Sequence, residues 1–476
     1  MSRGNLPPIE SVTGGSHGME AGYEQMLGLA ARYEQHAGDL VEMVGLGARV
    51  VTDGDLLESA VLSPVSFADA QVQVLGATAG TDGLAVRAVG IEADALGVRA
   101  VVAAFRASDA LSRHATEVID HALGRVVLTG TVAALPALLL AGGVGHACWS
   151  SLTPEEQQAL EERLTDELGA LLHEHPALVQ HLVNSGGGLV GSLAPGLGLL
   201  DPGDGPVGQP TTNDAARLMA LLLGDDTDYS VVRVTEVEGG AREVLPGSLR
   251  ALVEQLAAVN DLDAGPHAQA MHGAIQVQQV GEERYVVYLP GTDDMAALPT
   301  GDLVRDMETN YQLIGGTDSA YGRGIRSALL DAGLDGKAVM LVGHSQGGMV
   351  ATSLAADPDF TRHFDVEHVL TAGSPTAQVA QLPDGTQALH LENRGDAVPL
   401  LDGEDNPDQP RRTTVLFDGG THRTADNHHL DRYAAGAAAA EASGHGSVRD
   451  QVARMHADGY LGSGPSGPVR TYVITR

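Results

Sequence analysis

Ala338-Val-Met-Leu-Val-Gly343-His344-Ser345-Gln346-Gly347-Gly348 is the stretch that decides how this chain folds. A short apolar run ends in Gly-x-Ser-x-Gly, and an alanine-rich helical pattern, Met349 to Ala356, follows it. The order predicts a strand, a tight turn and a helix. Such a turn holds its central residue in a strained backbone, so the flanking positions must lack side chains. Gly-x-Ser-x-Gly alone says little in a chain with 61 glycines. With a strand before it and a helix after it, the turn reads as a nucleophile elbow built from Gly343, His344 and Gly347, with Ser345 raised at the carboxyl end of a parallel strand. The helix start behind Ser345 offers N–H groups to a developing negative charge.

A serine hydroxyl needs a base, and the base needs an orienting acid. In the hydrolase order both follow the serine, acid first. Ala388 to Leu391 predicts a strand, and Asp396 leaves it on a loop at the carboxyl end, where sites gather in open α/β sheets. Asp365 precedes a strand, and Asp402, Asp405 and Asp408 read as a solvated run in a Pro/Gly loop. Among the downstream histidines, His363, His368 and His390 precede Asp396. His428 and His429 open a helix after the strand ending near Phe417, with Asn427 as its expected cap, and the two rings cannot both face Ser345. A zinc site from His422, His428 and His429 competes, but no cysteine and no His-Glu-x-x-His pattern accompanies it. The oxyanion of acyl transfer needs two N–H donors. Gln346 supplies one, and the turn Pro290-Gly291-Thr292 after the strand Tyr285–Leu289 offers Thr292 for the other. The Gly-containing connection Met295 to Ala320 reads as a lid or a plain surface loop.

Four segments, in order, carry a resemblance: Pro290-Gly-Thr292, Gly343-His-Ser345-Gln-Gly347, Thr371-Ala-Gly-Ser-Pro375 and Asn393-Arg-Gly-Asp396-Ala-Val-Pro399. Over roughly residues 212–440 the chain resembles the α/β-hydrolase superfamily, and within it the class 3 (fungal-type) lipases and related bacterial serine hydrolases. The resemblance implies an α/β hydrolase fold, a largely parallel sheet with helices on both faces, preceded here by an α-helical domain. Related hydrolases often show His-x-x-Asp-x-Tyr at the base, which falls on His428, Asp431 and Tyr433 and implies His428 over the alternative base His429. The oxyanion turn departs from the pattern, reading Leu-Pro-Gly-Thr rather than Phe-Arg-Gly-Thr.

Outward from this core, 476 residues exceed what one hydrophobic core usually serves. Composition shifts predict a flexible arm at 1–18, a helical bundle or hairpin domain at 19–184, a Gly/Pro-rich linker at 185–211 and an α/β domain at 212–476. In the helical part, Met19, Tyr23, Met26, Ala30, Tyr33, Ala37, Leu40 and Val44 form a seam at alternating steps of four and three. Leu84 to Leu123 repeats the pattern, with Glu92, Arg99, Arg106, Arg113 and Asp120 every seventh residue as a solvent face. Val126 to Gly145 is uncharged for 20 residues, interrupted by glycines and Pro136. It reads as a buried central helix or hairpin rather than a membrane segment, with membrane contact the competing reading. The helical part is similar in style to the helical-hairpin modules of actinobacterial WXG-type proteins exported by type VII systems, although it has no Trp-x-Gly turn.

Net charge is −34, which excludes nucleic acid as an expected partner. The single cysteine, Cys148, forbids an intrachain disulfide. No cleavable secretory signal is legible, so the expected location is cytoplasmic, or exported by a route that needs none. The sequence therefore reads as a serine hydrolase of carboxylic esters, lipase- or esterase-like, acting on an ester or lipid substrate through Ser345, His428 and Asp396 without metal or organic cofactor. The competing class is a type VII-associated interaction or delivery protein. In it the helical domain takes a helical partner and the hydrolase half is a degenerate scaffold.

Overall fold

The computed structural model describes residues 6–108, 183, 211–223, 233–237, 244–264, 268–295, 301–379, 381–421 and 424–476. The chain divides into two compact units, Met19–Ala115 and the remainder, Met1–Gly18 with Thr116–Arg476. The expected linker and the run Val126–Gly145 lie outside the described residues, as does most of the expected helical domain beyond residue 108. Among the described residues no helix is long and apolar enough to cross a membrane.

The helical unit contains α1 (Met19–Val51), α2 (Gly54–Leu62), α3 (Pro64–Ala79) and α4 (84–108). Its seam is narrower than the sequence implied. Ala21, Ala30 and Ala37 of α1 and Ala88, Ala95 and Val102 of α4 are buried, while Met19 and Met26 are exposed. Small residues recurring on one face, at steps of nine and seven in α1 and of seven in α4, let two helices approach closely, and larger neighbours are left at the rim. The charged stripe of α4 is also more than a solvent face. Arg99 grips Glu34 through two bonds of 2.9 and 2.8 Å, and Arg106 pairs with Glu20. Both pairs run α1 and α4 antiparallel. Being exposed, each contributes at most about 1 kcal/mol.

In the second unit a nine-stranded sheet has the order β1-β8-β7-β6-β5-β4-β3-β9-β2. The strands are β1 (Ile9–Gly14), β2 (Arg233–Val237), β3 (Ala274–Gln279), β4 (Arg284–Leu289), β5 (Lys337–His344), β6 (Phe364–Ala372), β7 (Gln387–Asn393), β8 (Arg412–Phe417) and β9 (Val469–Thr475). The five strands from β4 to β8 are parallel, and the outer pairings are antiparallel. Side chains alternate between faces, so β4 and β5 feed two cores. Val287, Leu289, Val339 and Leu341 pack with Ile325 and Leu329 of α8 (Ala320–Asp331) and Val350 of α9 (Gln346–Ala356). Val286, Tyr288, Met340 and Val342 pack with Leu252 and Leu256 of α6 (Leu249–Asn260) and with Tyr433 and Ala437 of α10 (Leu430–Ala442). The central strands are buried on both faces, which is why β5 reads as an unbroken apolar run.

Two strands go beyond the sequence reading. Residues 9–14, expected in a flexible arm, pair antiparallel with β8, Ile9 opposite Phe417 and Gly14 opposite Thr413. Gly14 has φ +67°, and a Cβ there would lie 2.1 Å from the Arg412 carbonyl oxygen, so this end of β1 needs glycine. The Ser447 hydroxyl donates to Gly14 O at 2.9 Å and locks the strand against α11 (Gly446–Ala457). β9 inserts between β3 and β2. The connection expected to be a lid or loop folds in part as α7 (Met307–Ile314), capped by Asp306 and packed on α9 and on α5 (Thr212–Leu223).

Candidate active site

Parallel register sets the floor of the site. Leu289 lies opposite Gly343, and Gly343 opposite Thr371, so β4, β5 and β6 end level. Asn393 of β7 likewise lies opposite Phe417 of β8. Everything that follows these strands meets at one sheet edge.

Ser345 sits between β5 and α9 with φ 53° and ψ −124°, the one non-glycine with positive φ among the described residues. Such a conformation costs of order 1–3 kcal/mol and persists only where the surroundings enforce it. Here Ser345 N–H donates to Ala372 O at 3.1 Å, and its carbonyl accepts from Gly348 and Met349. A Cβ on Gly343 would lie 2.3 Å from Gly347 O, and one on Gly347 would lie 1.9 Å from Leu289 O. The elbow is thus pressed directly onto the end of β4.

The turn after β4 touches the serine, because a Cβ on Gly291 would stand 3.1 Å from Ser345 Cβ. Arg305 O takes the N–H groups of Asp293 and Asp294, the two residues after Thr292, at 2.7 and 3.1 Å. The Arg305 guanidinium binds both Asp293 carboxylate oxygens, at 2.6 and 2.9 Å, in a fully buried pair. Gln346 is also buried, its amide donating to Asp306 O at 2.7 Å and to Asn310 Oδ1 at 2.9 Å.

Asp396 is buried on the loop after β7. Its Oδ1 accepts from Val398 N–H at 2.9 Å, and its Oδ2 lies 2.6 Å from His428 Nδ1. The Tyr433 hydroxyl donates to the same Oδ2 at 2.6 Å. A carboxylate only accepts, so the proton between Asp396 and His428 belongs to Nδ1, and in the neutral ring that tautomer leaves Nε2 as the acceptor. Burial, with Asp396 beside it, pushes the Tyr433 phenol well above its ordinary range, so it stays a donor. His429 is exposed where α10 begins and makes no capping bond. Asn427 is not the cap of α10 either. It is buried and donates to Thr421 O at 2.7 Å, while Asn393 of β7 donates to Asn427 O at 2.9 Å and accepts from Gly419 N–H at 2.8 Å. Asn393 thereby ties the loop that carries His428 to the strand that leads to Asp396.

His344 has a role that its place in the motif did not reveal. Its Nε2–H donates to the carbonyl of His428 at 3.0 Å, and the two rings lie 4.5 Å apart. Burial, with His428 nearby, holds it well below the ordinary imidazole range and therefore neutral. The other histidines weighed as bases are engaged elsewhere: His363 with Asp335, His368 with Asp458 and His390 with Arg412. His422 lies outside the described residues. Among those described, no group of three His, Cys, Asp or Glu side chains is arranged to hold a metal ion. A cavity of about 550 Å³ lined by Arg326, Ser353, Leu354 and Gln378 opens beside α8 and α9, and Ser345, Asp396 and His428 do not line it.

A second polar cluster lies under β7 and β8. Arg412, fully buried, donates to His390 Nε2 at 2.9 Å and to the carbonyls of Thr376 and Val379 at 2.5 Å. Asp402, expected in a solvated run, is buried here, accepting from Ala377 N–H at 2.7 Å. Burial pushes its carboxyl up to about 7, against an ordinary value of 3.8. The folded chain then holds a proton that the unfolded chain releases, so this contribution to stability is complete below pH 3.8 and is lost as pH rises toward 7. Asp402→Asn, which mimics the protonated acid, is expected to melt above the wild type at pH 8, with the gap closing toward pH 4. A gap of equal size at both pH values would contradict this assignment.

Residues 312–422 match the family model of the PGAP1-like alpha/beta domain, an α/β-hydrolase-type family. No curated protein and no solved structure matched the chain. The matched span includes β5 to β8, Ser345 and Asp396 and ends before His428, so over these residues the chain is similar to a hydrolase-type α/β domain.

Proposed function

We propose that the protein is a serine hydrolase of carboxylic esters, lipase- or esterase-like, built on an α/β-hydrolase fold. The observation that carries this reading is the convergence at one sheet edge of a strained serine with an Asp396–His428 pair at 2.6 Å whose carboxylate is buried. Ser345 Oγ attacks the ester carbonyl while His428 Nε2 takes its proton. Asp396 holds the Nδ1–H tautomer and stabilises the imidazolium that forms. The N–H groups of Gln346 and Thr292 hold the tetrahedral oxyanion. Collapse expels the alcohol, which takes the proton from His428, and water resolves the acyl-enzyme by the same steps. A scaffold without chemistry has no physical reason to retain the strain at Ser345.

A fluorophosphonate probe tests the reading. The wild type is expected to be labelled at Ser345 and to turn over p-nitrophenyl esters, with Ser345→Ala inert in both assays. An unlabelled wild type, or equal labelling of Ser345→Ala, would overturn it.

A further inference from the structure

The two groups assigned to the oxyanion come from different strands, Thr292 after β4 and Gln346 after β5. Their spacing must be set before reaction, because donors that reorganise during the chemical step lose much of their value. One side chain joins them. Asn310, on α7, accepts from the Gln346 amide at 2.9 Å and donates from Nδ2 to the Thr292 hydroxyl at 3.1 Å. A carboxamide suits this position, since it offers one acceptor and one donor at the two ends of a planar fork.

The helix that carries Asn310 is itself clamped. Asp306 caps it by accepting from Thr309 N–H at 2.9 Å, and the same residue's carbonyl accepts from Gln346 at 2.7 Å. Arg476 binds Asp306 at 2.6 Å and Glu308 at 3.4 Å in a buried cluster. The Thr309 hydroxyl donates to Val304 O at 2.8 Å, and Arg217 of α5 donates to Gly315 O at 2.5 Å, just past the other end of α7. Held at both ends, α7 presents Asn310 at a fixed height over the turn.

We propose that Asn310 is a positioning residue that sets the separation of the two oxyanion donors, an inference that rests on the serine-hydrolase reading above. It touches neither substrate nor reacting atoms and acts through Gln346 and Thr292.

The test uses the full chain and compares Asn310→Leu, Asn310→Asp and Thr292→Val in p-nitrophenyl ester hydrolysis, with thermal melting alongside. Asn310→Leu is expected to lower kcat about 10- to 100-fold with KM within about twofold, because transition-state binding is lost and ground-state binding is not. Asn310→Asp keeps the size and the acceptor for Gln346 but places a carboxylate near the developing oxyanion. Its rate relative to wild type is therefore expected to rise as pH falls from 8 to 5, a trend that a merely structural role would not produce. Asn310→Leu and Thr292→Val should be less than additive when combined, since each removes the same hydrogen bond. If Asn310→Leu does not melt cooperatively, the isosteric Asn310→Asp decides alone. A kcat within about twofold of wild type for Asn310→Asp across that pH range, or a loss confined to KM, overturns the proposal. In either case an active wild type leaves the serine-hydrolase reading intact. A wild type that neither turns over ester nor takes the fluorophosphonate overturns both.

Discussion

His428→Ala is expected to cut ester turnover by about four to six orders of magnitude, whereas His429→Ala stays within about twofold of the wild type. The two residues are adjacent in sequence and carry the same side chain, so composition cannot account for such a difference. Only His428 has its Nδ1 within 2.6 Å of a buried carboxylate, its carbonyl taken by His344 and its ring against that of His344. Asp396→Asn should cost about 10⁴ in kcat, because the amide that replaces the carboxylate no longer selects the Nδ1–H tautomer. Tyr433→Phe removes the second donor to Asp396 Oδ2 and leaves part of that buried carboxylate unsatisfied, for an expected destabilisation of about 1–3 kcal/mol. Steady-state kcat and the rate of fluorophosphonate labelling read the first three variants, and thermal melting reads the fourth. Loss of turnover in His429→Ala alone would overturn the proposal that His428 is the base.

How much of this was legible beforehand follows the range of the forces involved. β5, the elbow and α9 are set by local rules, an apolar run, glycines at a strained turn and a helix-forming tail, and the sequence shows them within three residues. Chain order and strand ends narrow the candidates to Asp396 and His428 in the sequence, and the structure adds the 2.6 Å contact between them. Asn310 and His344 were not legible there, because their roles depend on which loops the sheet brings together. Asn310 meets Thr292 and Gln346 across 18 and 36 residues. His344 belongs to the motif, yet its bond to the His428 carbonyl spans 84 residues. β1 was missed for a related reason. Six residues with weak alternation gain strand structure only from the edge of β8, about 400 positions away in sequence. That pairing also changes how the chain should be dissected. A fragment starting at residue 212 would lack β1 and expose the edge of β8, so activity lost in it would say nothing about the helical unit. Asp402 shows the opposite failure. A Pro/Gly-rich acidic loop ordinarily lies in solvent, and here the Ala377 N–H and the proton that the buried carboxyl holds make burial tolerable.

Gly347→Ala is expected to lose labelling at Ser345 by at least about 100-fold and to lower stability by about 3 kcal/mol. The added methyl would sit 1.9 Å from Leu289 O and 2.5 Å from Pro290 O. Both are backbone atoms, and Leu289 O belongs to a central strand paired on each side, so neither can rotate away as a side chain would. Relief requires α9 to retreat from β4, and that retreat carries Ser345 with it. It also opens the contact in which Gly291 lies against Ser345 Cβ, so Ser345 and the turn that carries Thr292 separate in one step. Gly322→Ala is the control. It places a methyl in α8 no closer than 3.4 Å to the Ser319 hydroxyl, and alanine favours a helix over glycine by up to about 1 kcal/mol. The pair therefore separates the general cost of replacing glycine from the specific cost of crowding the elbow. At about 2.1 cal/mol/K of unfolding entropy per residue, 3 kcal/mol corresponds in a unit of this size to a fall in melting temperature of about 4–6 °C. Unchanged melting and labelling in Gly347→Ala would mean that the close approach of β4 and α9 is not what fixes the strained serine. The motif's glycines would then need another physical explanation.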